Sequence, residues 1–112
     1  MDKLIIIDKG PPPKCMSELL ELIRKRPAMY LGRNSLQDLK TWLDGFVYAI
    51  HIFGDKKFAI DIDFQSFDKF IRDHYDWDDT GGWVAKIQYY YRDEDKALDE
   101  FFRLYDEFRS TQ

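Results

Sequence analysis

The sequence predicts an all-α fold, a compact bundle of about five helices. Three observations carry that prediction. Apolar residues recur at i, i+3, i+4 and i+7 over most of the chain after residue 16, which is the helical period. Helix-starting residues (Ser, Asn, Asp) and helix-stopping ones (Gly, Pro) separate those stretches. Phe, Tyr and Trp together make up 17% of the 112 residues, enough large rings to fill one core without disulfides or metal.

Residues 1–15 read as an N-terminal extension, and 16–112 as a single helical domain. Leu4 to Ile7 is rich in β-branched residues, and 55–62 alternates weakly through Phe58, Ile60 and Ile62. The pattern leaves room for a minor two-stranded β element pairing 4–7 with 58–62. Gly10-Pro11-Pro12-Pro13 interrupts regular structure between the extension and the body.

The first helix runs from about Ser17, its expected N-cap, to Arg26, with Met16, Leu19, Leu20 and Ile23 inward. Pro27 stops it, and 28–32 is expected to be a packed connector in which Gly32 takes a positive φ. The second helix starts at Asn34 or Ser35 and ends at Gly54. Its second half, residues 46–53, is apolar nearly all round, which places it at the centre of the bundle. Gly45 inside it is expected to admit a close neighbouring helix. Asp63 caps a third helix over 64–75, with Phe64, Phe67, Phe70 and Ile71 inward. A loop over 76–82 leads to a fourth helix over 83–91, with Trp83, Ile87, Tyr90 and Tyr91 on one side. Asp93 caps a fifth over 94–109, buried through Ala97, Leu98, Phe101, Leu104, Tyr105 and Phe108.

The net charge of −4 argues against a general nucleic-acid binder, so the cluster Arg24, Lys25, Arg26 and Arg33 is not expected to make one. The lone Cys15 excludes an intrachain disulfide and fits a reducing cytoplasm. No apolar stretch approaches the ~20 residues of a membrane span, so no membrane role is expected. His51 reads as a core histidine. His74, near Asp73, Asp76, Asp78 and Asp79, reads as part of a solvated acidic helix end. Neither histidine has the convergent ligands of a metal site, and no cofactor loop is present, so no catalytic residue, metal or cofactor is expected.

Charge is uneven along the chain. Residues 1–54 hold 8 basic and 6 acidic side chains, and 55–112 hold 9 and 15. Seven aspartates fall within 61–79, and Tyr75 and Trp77 interleave with them. Aromatic anchors ringed by charge are the anatomy of a protein interface, and an acidic face steers toward a basic partner.

Two blocks carry a resemblance. One is Glu18 to Ile50, with Arg26-Pro27-Ala28-Met29-Tyr30-Leu31-Gly32 and Leu43-Asp44-Gly45-Phe46. The other is Gly82 to Ile87 continuing into Ala97 to Phe108. Together they span about half the chain and resemble small bacterial immunity proteins, the partners of polymorphic or contact-dependent growth inhibition toxins. The resemblance implies a cytoplasmic, non-enzymatic protein that neutralises a cognate toxin C-terminal domain, of a basic nuclease type, by blocking its active site or partner surface. It places specificity in the unmatched segment 55–79. The expected toxin-binding residues are Asp73, Tyr75, Asp76, Trp77, Asp78 and Asp79. The alternative is a small-ligand-binding or enzymatic helical domain with an aromatic-lined pocket, whose polar candidates are Tyr30, His51 and Trp83.

Overall fold

The computed structural model describes residues 10–54, 57–78 and 80–112, and among these it is all-helical. Six helices follow one another: α1 (Met16–Lys25), α2 (Pro27–Leu31), α3 (Leu36–Phe53), α4 (Phe64–Tyr75), α5 (Trp83–Tyr90) and α6 (Glu94–Ser110). The bundle exceeds five because the 28–32 connector is itself a short helix. Pro27 sits at its start, where a missing N–H costs nothing, and Gly32 ends it at φ 88°.

No strand forms among the described residues. Segment 58–62 meets the chain just before α1 as one isolated parallel bridge, Cys15 to Ala59. Ala59 donates to the Lys14 carbonyl at 3.0 Å and accepts from the Met16 N–H at 2.9 Å. Residues 4–7, the other half of the expected β element, lie outside the described residues.

The core collects the inward stripes of five helices. Met16, Leu20 and Ile23 of α1, Leu36 and Leu39 of α3, Phe67 and Ile71 of α4, Ile87 of α5, and Ala97, Phe101 and Leu104 of α6 are all at most 1% exposed. Phe67 is the hub of the ring cluster. Its centroid lies 5.2 Å from Trp83, 5.6 Å from Phe101 and 5.3 Å from Phe108, all edge-on, the arrangement aromatic quadrupoles favour.

Four expectations fail here. The N-cap of α1 is Cys15, not Ser17, and Ser17 lies inside the helix. The second half of α3 is not central. Of α3 only Leu36, Leu39 and Leu43 are buried, while Tyr48 is 67%, Ile52 54% and Phe53 83% exposed. No further helix is left in the described chain to cover that end. His51 is exposed with it and is not a core histidine. Gly45 admits no neighbour among the described residues: beyond its own stretch of helix none of them lies within 4 Å of where its Cβ would be.

Candidate functional site

The segment singled out from the sequence lies at the α4–α5 turn. α4 begins at Asp63, whose carboxylate accepts from the Gln65 and Ser66 N–H groups, and ends at Asp76. Asp76 is in the left-handed region (φ 56°, ψ 49°), which aspartate tolerates better than most residues. The turn lets the Trp77 N–H return to the Arg72 carbonyl at 2.9 Å and throws the Trp77 ring across the last turn of α5.

There the rings meet. Trp77 Nε1 donates to the Tyr90 hydroxyl at 3.1 Å. Tyr75 stacks on Tyr90, with centroids 4.4 Å apart and planes 17° apart. Tyr89 stands edge-on to both Trp77 (5.3 Å) and Tyr90 (5.0 Å), and His74 stands edge-on to Tyr75 at 4.6 Å. Tyr89 and Tyr90 are exposed, Trp77 and Tyr75 half-buried. Tyr75 keeps its hydroxyl buried with no hydrogen-bond partner among the described residues. Burial, then the nearby Glu100 carboxylate, pushes that hydroxyl above the ordinary tyrosine range.

Lys86 fastens the patch from beneath. It is fully buried, and its Nζ donates to the Thr80 carbonyl at 2.9 Å and the Gly81 carbonyl at 2.8 Å. The same atom lies 5.7 Å from the Trp77 ring centroid, within cation–π range. One side chain thus holds both the loop before α5 and the indole above it.

The acidic rim is partly engaged. Asp73 pairs with Lys69, one turn earlier, at 2.7 Å. Asp78 accepts from the Thr80 hydroxyl and from the Thr80 N–H at 2.9 Å; these bonds hold its carboxyl below the ordinary range. Asp76 is exposed. The structure therefore brings Tyr75 and Trp77 against one ring, Tyr90, and leaves Asp73, Asp76 and Asp78 exposed on the same stretch of chain. Asp79 lies outside the described residues.

Sequence reasoning missed Tyr89, Tyr90 and Lys86. Tyr90 was expected on one side with Trp83, Ile87 and Tyr91, but Trp83 and Ile87 are buried while Tyr90 is 47% exposed. The available signal was Tyr89-Tyr90-Tyr91, because three successive helix-end residues span too wide an arc to share one buried face. Lys86 left no such signal.

The residues of the ligand-binding alternative do not converge. Tyr30 stands edge-on to Trp42 in the α2–α3 region, Trp83 stacks on Phe101 in the core, and His51 is exposed on α3. A cavity of about 460 Å³ opens elsewhere, against α1 and α6, with Glu18, Glu21, Lys25, Asp106 and Arg109 in its wall. The basic run is also partly committed: both Arg24 Nη atoms donate to Asp106, at 2.8 and 2.6 Å, and Arg33 pairs with Asp38 at 2.5 Å. Among the described residues no three His, Cys, Asp or Glu side chains are grouped as metal ligands would be. No helix among them is long and apolar enough to cross a membrane. No protein-family model, curated protein or solved structure matches the chain.

Proposed function

We propose that this chain is an immunity-type protein, one that neutralises a cognate toxin C-terminal domain by covering it with the acidic aromatic face at the α4–α5 turn. The supporting observation is the cluster of Trp77 with Tyr89 and Tyr90 of α5, next to a turn that carries the exposed Asp76 and Asp78 and follows the exposed Asp73 of α4. Rings already stacked on one another lose little side-chain freedom on binding, so contact made there keeps most of its free energy. The aspartates attract a basic, phosphate-binding surface and speed its capture. In this reading the protein works by occlusion in the cytoplasm and performs no chemistry of its own.

The test is protection. Cells expressing a toxin C-terminal domain that the wild-type chain binds in a pull-down survive when that chain is co-expressed. They are not rescued by the double variant Asp76→Lys with Asp78→Lys, checked by circular dichroism to retain the helix content of the wild type. Full protection by a normally folded double variant removes the α4–α5 turn from the binding surface.

A further inference from the structure

A second surface lies along α3. Thr41, Gly45, Tyr48 and Ile52 are all exposed and follow one another at intervals of four, three and four residues. That spacing is the seam of a helix pair. Its apolar members are large and open to solvent, Tyr48 at 67% and Ile52 at 54%.

Gly45 is the anomaly in this seam. A glycine inside a helix costs about 1 kcal/mol relative to alanine. Its backbone is not in the positive-φ region, and nothing beyond its own stretch of helix comes within 4 Å of its absent Cβ. Neither conformation nor packing among the described residues uses the missing side chain.

The order of sizes along the stripe suggests what does. Small residues, Thr41 and Gly45, occupy its first half; large ones, Tyr48 and Ile52, its second. Another α3 running antiparallel about a twofold axis between Gly45 and Tyr48 sets large against small in every layer. Tyr48 meets the second copy's Gly45, and Ile52 meets its Thr41. The same rotation brings Asp44, on one flank of the stripe, beside the second copy's His51, and it opposes the two helix dipoles. The pattern is self-complementary.

We infer that the chain forms a twofold dimer through this stripe of α3. The inference is independent of the binding face at the α4–α5 turn. Sedimentation equilibrium of the full chain at micromolar concentration tests it. The wild type is expected at twice the monomer mass. Gly45→Leu, which fills the space opposite Tyr48, and Ile52→Lys, which charges the seam, are each expected to weaken association by at least about tenfold. Both positions are exposed, so helix content by circular dichroism stays unchanged. Gly45→Ala adds a second readout: a seam glycine loses association on substitution, whereas a merely solvent-facing one gains melting temperature with association unaltered. A monomeric wild type overturns the inference, as does a dimer that survives both Gly45→Leu and Ile52→Lys. The Asp76→Lys, Asp78→Lys variant stays dimeric, so loss of toxin neutralisation and loss of dimerisation are separable.

Discussion

Asp61 shows how much one side chain can hold. The start of α1 has no capping side chain of its own, since the Cys15 side chain makes no cap hydrogen bond. Asp61 supplies the acceptor from 44 residues away, taking the Ser17 N–H at 2.9 Å and the Ser17 hydroxyl at 2.6 Å. Its own carbonyl accepts from Arg109 Nη1 at 3.2 Å, tying α1 and α6 to the segment before α4. Burial opposes ionisation of Asp61, but the hydrogen bonds its carboxylate accepts, from Ser17 first and then from its own backbone and Cys15, together outweigh it and hold the carboxyl below its ordinary value of 3.8. A depressed carboxyl stabilises the fold fully above its unfolded value, and that contribution fades as pH falls below 3.8 toward the folded value. Asp61→Ala should therefore lose about 1–2 kcal/mol at neutral pH. In urea unfolding at a series of pH values, the gap between wild type and variant should close on the acid side of 3.8. A gap independent of pH would show that packing, not the charged cap, is responsible.

Among the helices, α3 and α6 share a cap. Of the two starts the sequence leaves open, Asn34 and Ser35, it is Ser35 that caps α3, accepting from the Asp38 N–H at 3.1 Å. Glu94, the first residue of α6, then accepts from the Ser35 hydroxyl at 2.9 Å, the Gln37 N–H at 2.8 Å and, from α5, Gln88 Nε2 at 3.0 Å. A carboxylate at one helix's first turn thus serves a second helix's unpaired N–H and the positive end of its dipole. Glu94→Ala leaves the fully buried Ser35 without that acceptor and is expected to destabilise by about 1–3 kcal/mol. Amide exchange at Gln37 should accelerate more than at the far end of α3. Uniform acceleration along α3 would contradict a local cap. Only half of this arrangement can be read from the sequence. Ser35 announces itself by the apolar period that follows it, whereas Glu94 resembles any acidic residue in a first turn. Periodicity also misplaces the end of α3, because an all-round apolar segment reads as central whether or not the chain has a helix left to cover it.

For the molecule as a whole, stability rests on the ring cluster around Phe67. Phe67 is 1% exposed and touches rings from α4, α5 and α6. Phe67→Ala should cost about 3–5 kcal/mol, a large share of the 5–15 kcal/mol typical of a domain's total stability. Chemical denaturation measures it directly, and a loss below about 1 kcal/mol would mean that the core refills around the gap. Outside this cluster large apolar side chains stand exposed in two places: Tyr89 and Tyr90 at the end of α5, and Tyr48, Ile52 and Phe53 along the end of α3.

Local chemistry was enough to find most of the architecture. The apolar stripes of α1 and α6, the caps Ser35 and Asp63, the stop at Gly54 and the positive φ of Gly32 follow from neighbours within a turn or two, where backbone geometry and short-range hydrogen bonding leave few choices. Of the candidate site, Tyr75, Trp77 and the aspartates were visible as a run of residue types. That Tyr90 is the ring they gather around, and Lys86 the amine that pins them, was not. Those pairings, like Asp61 with Ser17 and Glu94 with Gln37, join residues from different elements. They emerge only when helices pack, because burial and satisfied hydrogen bonds depend on which surfaces meet, and a one-dimensional pattern carries no record of that meeting.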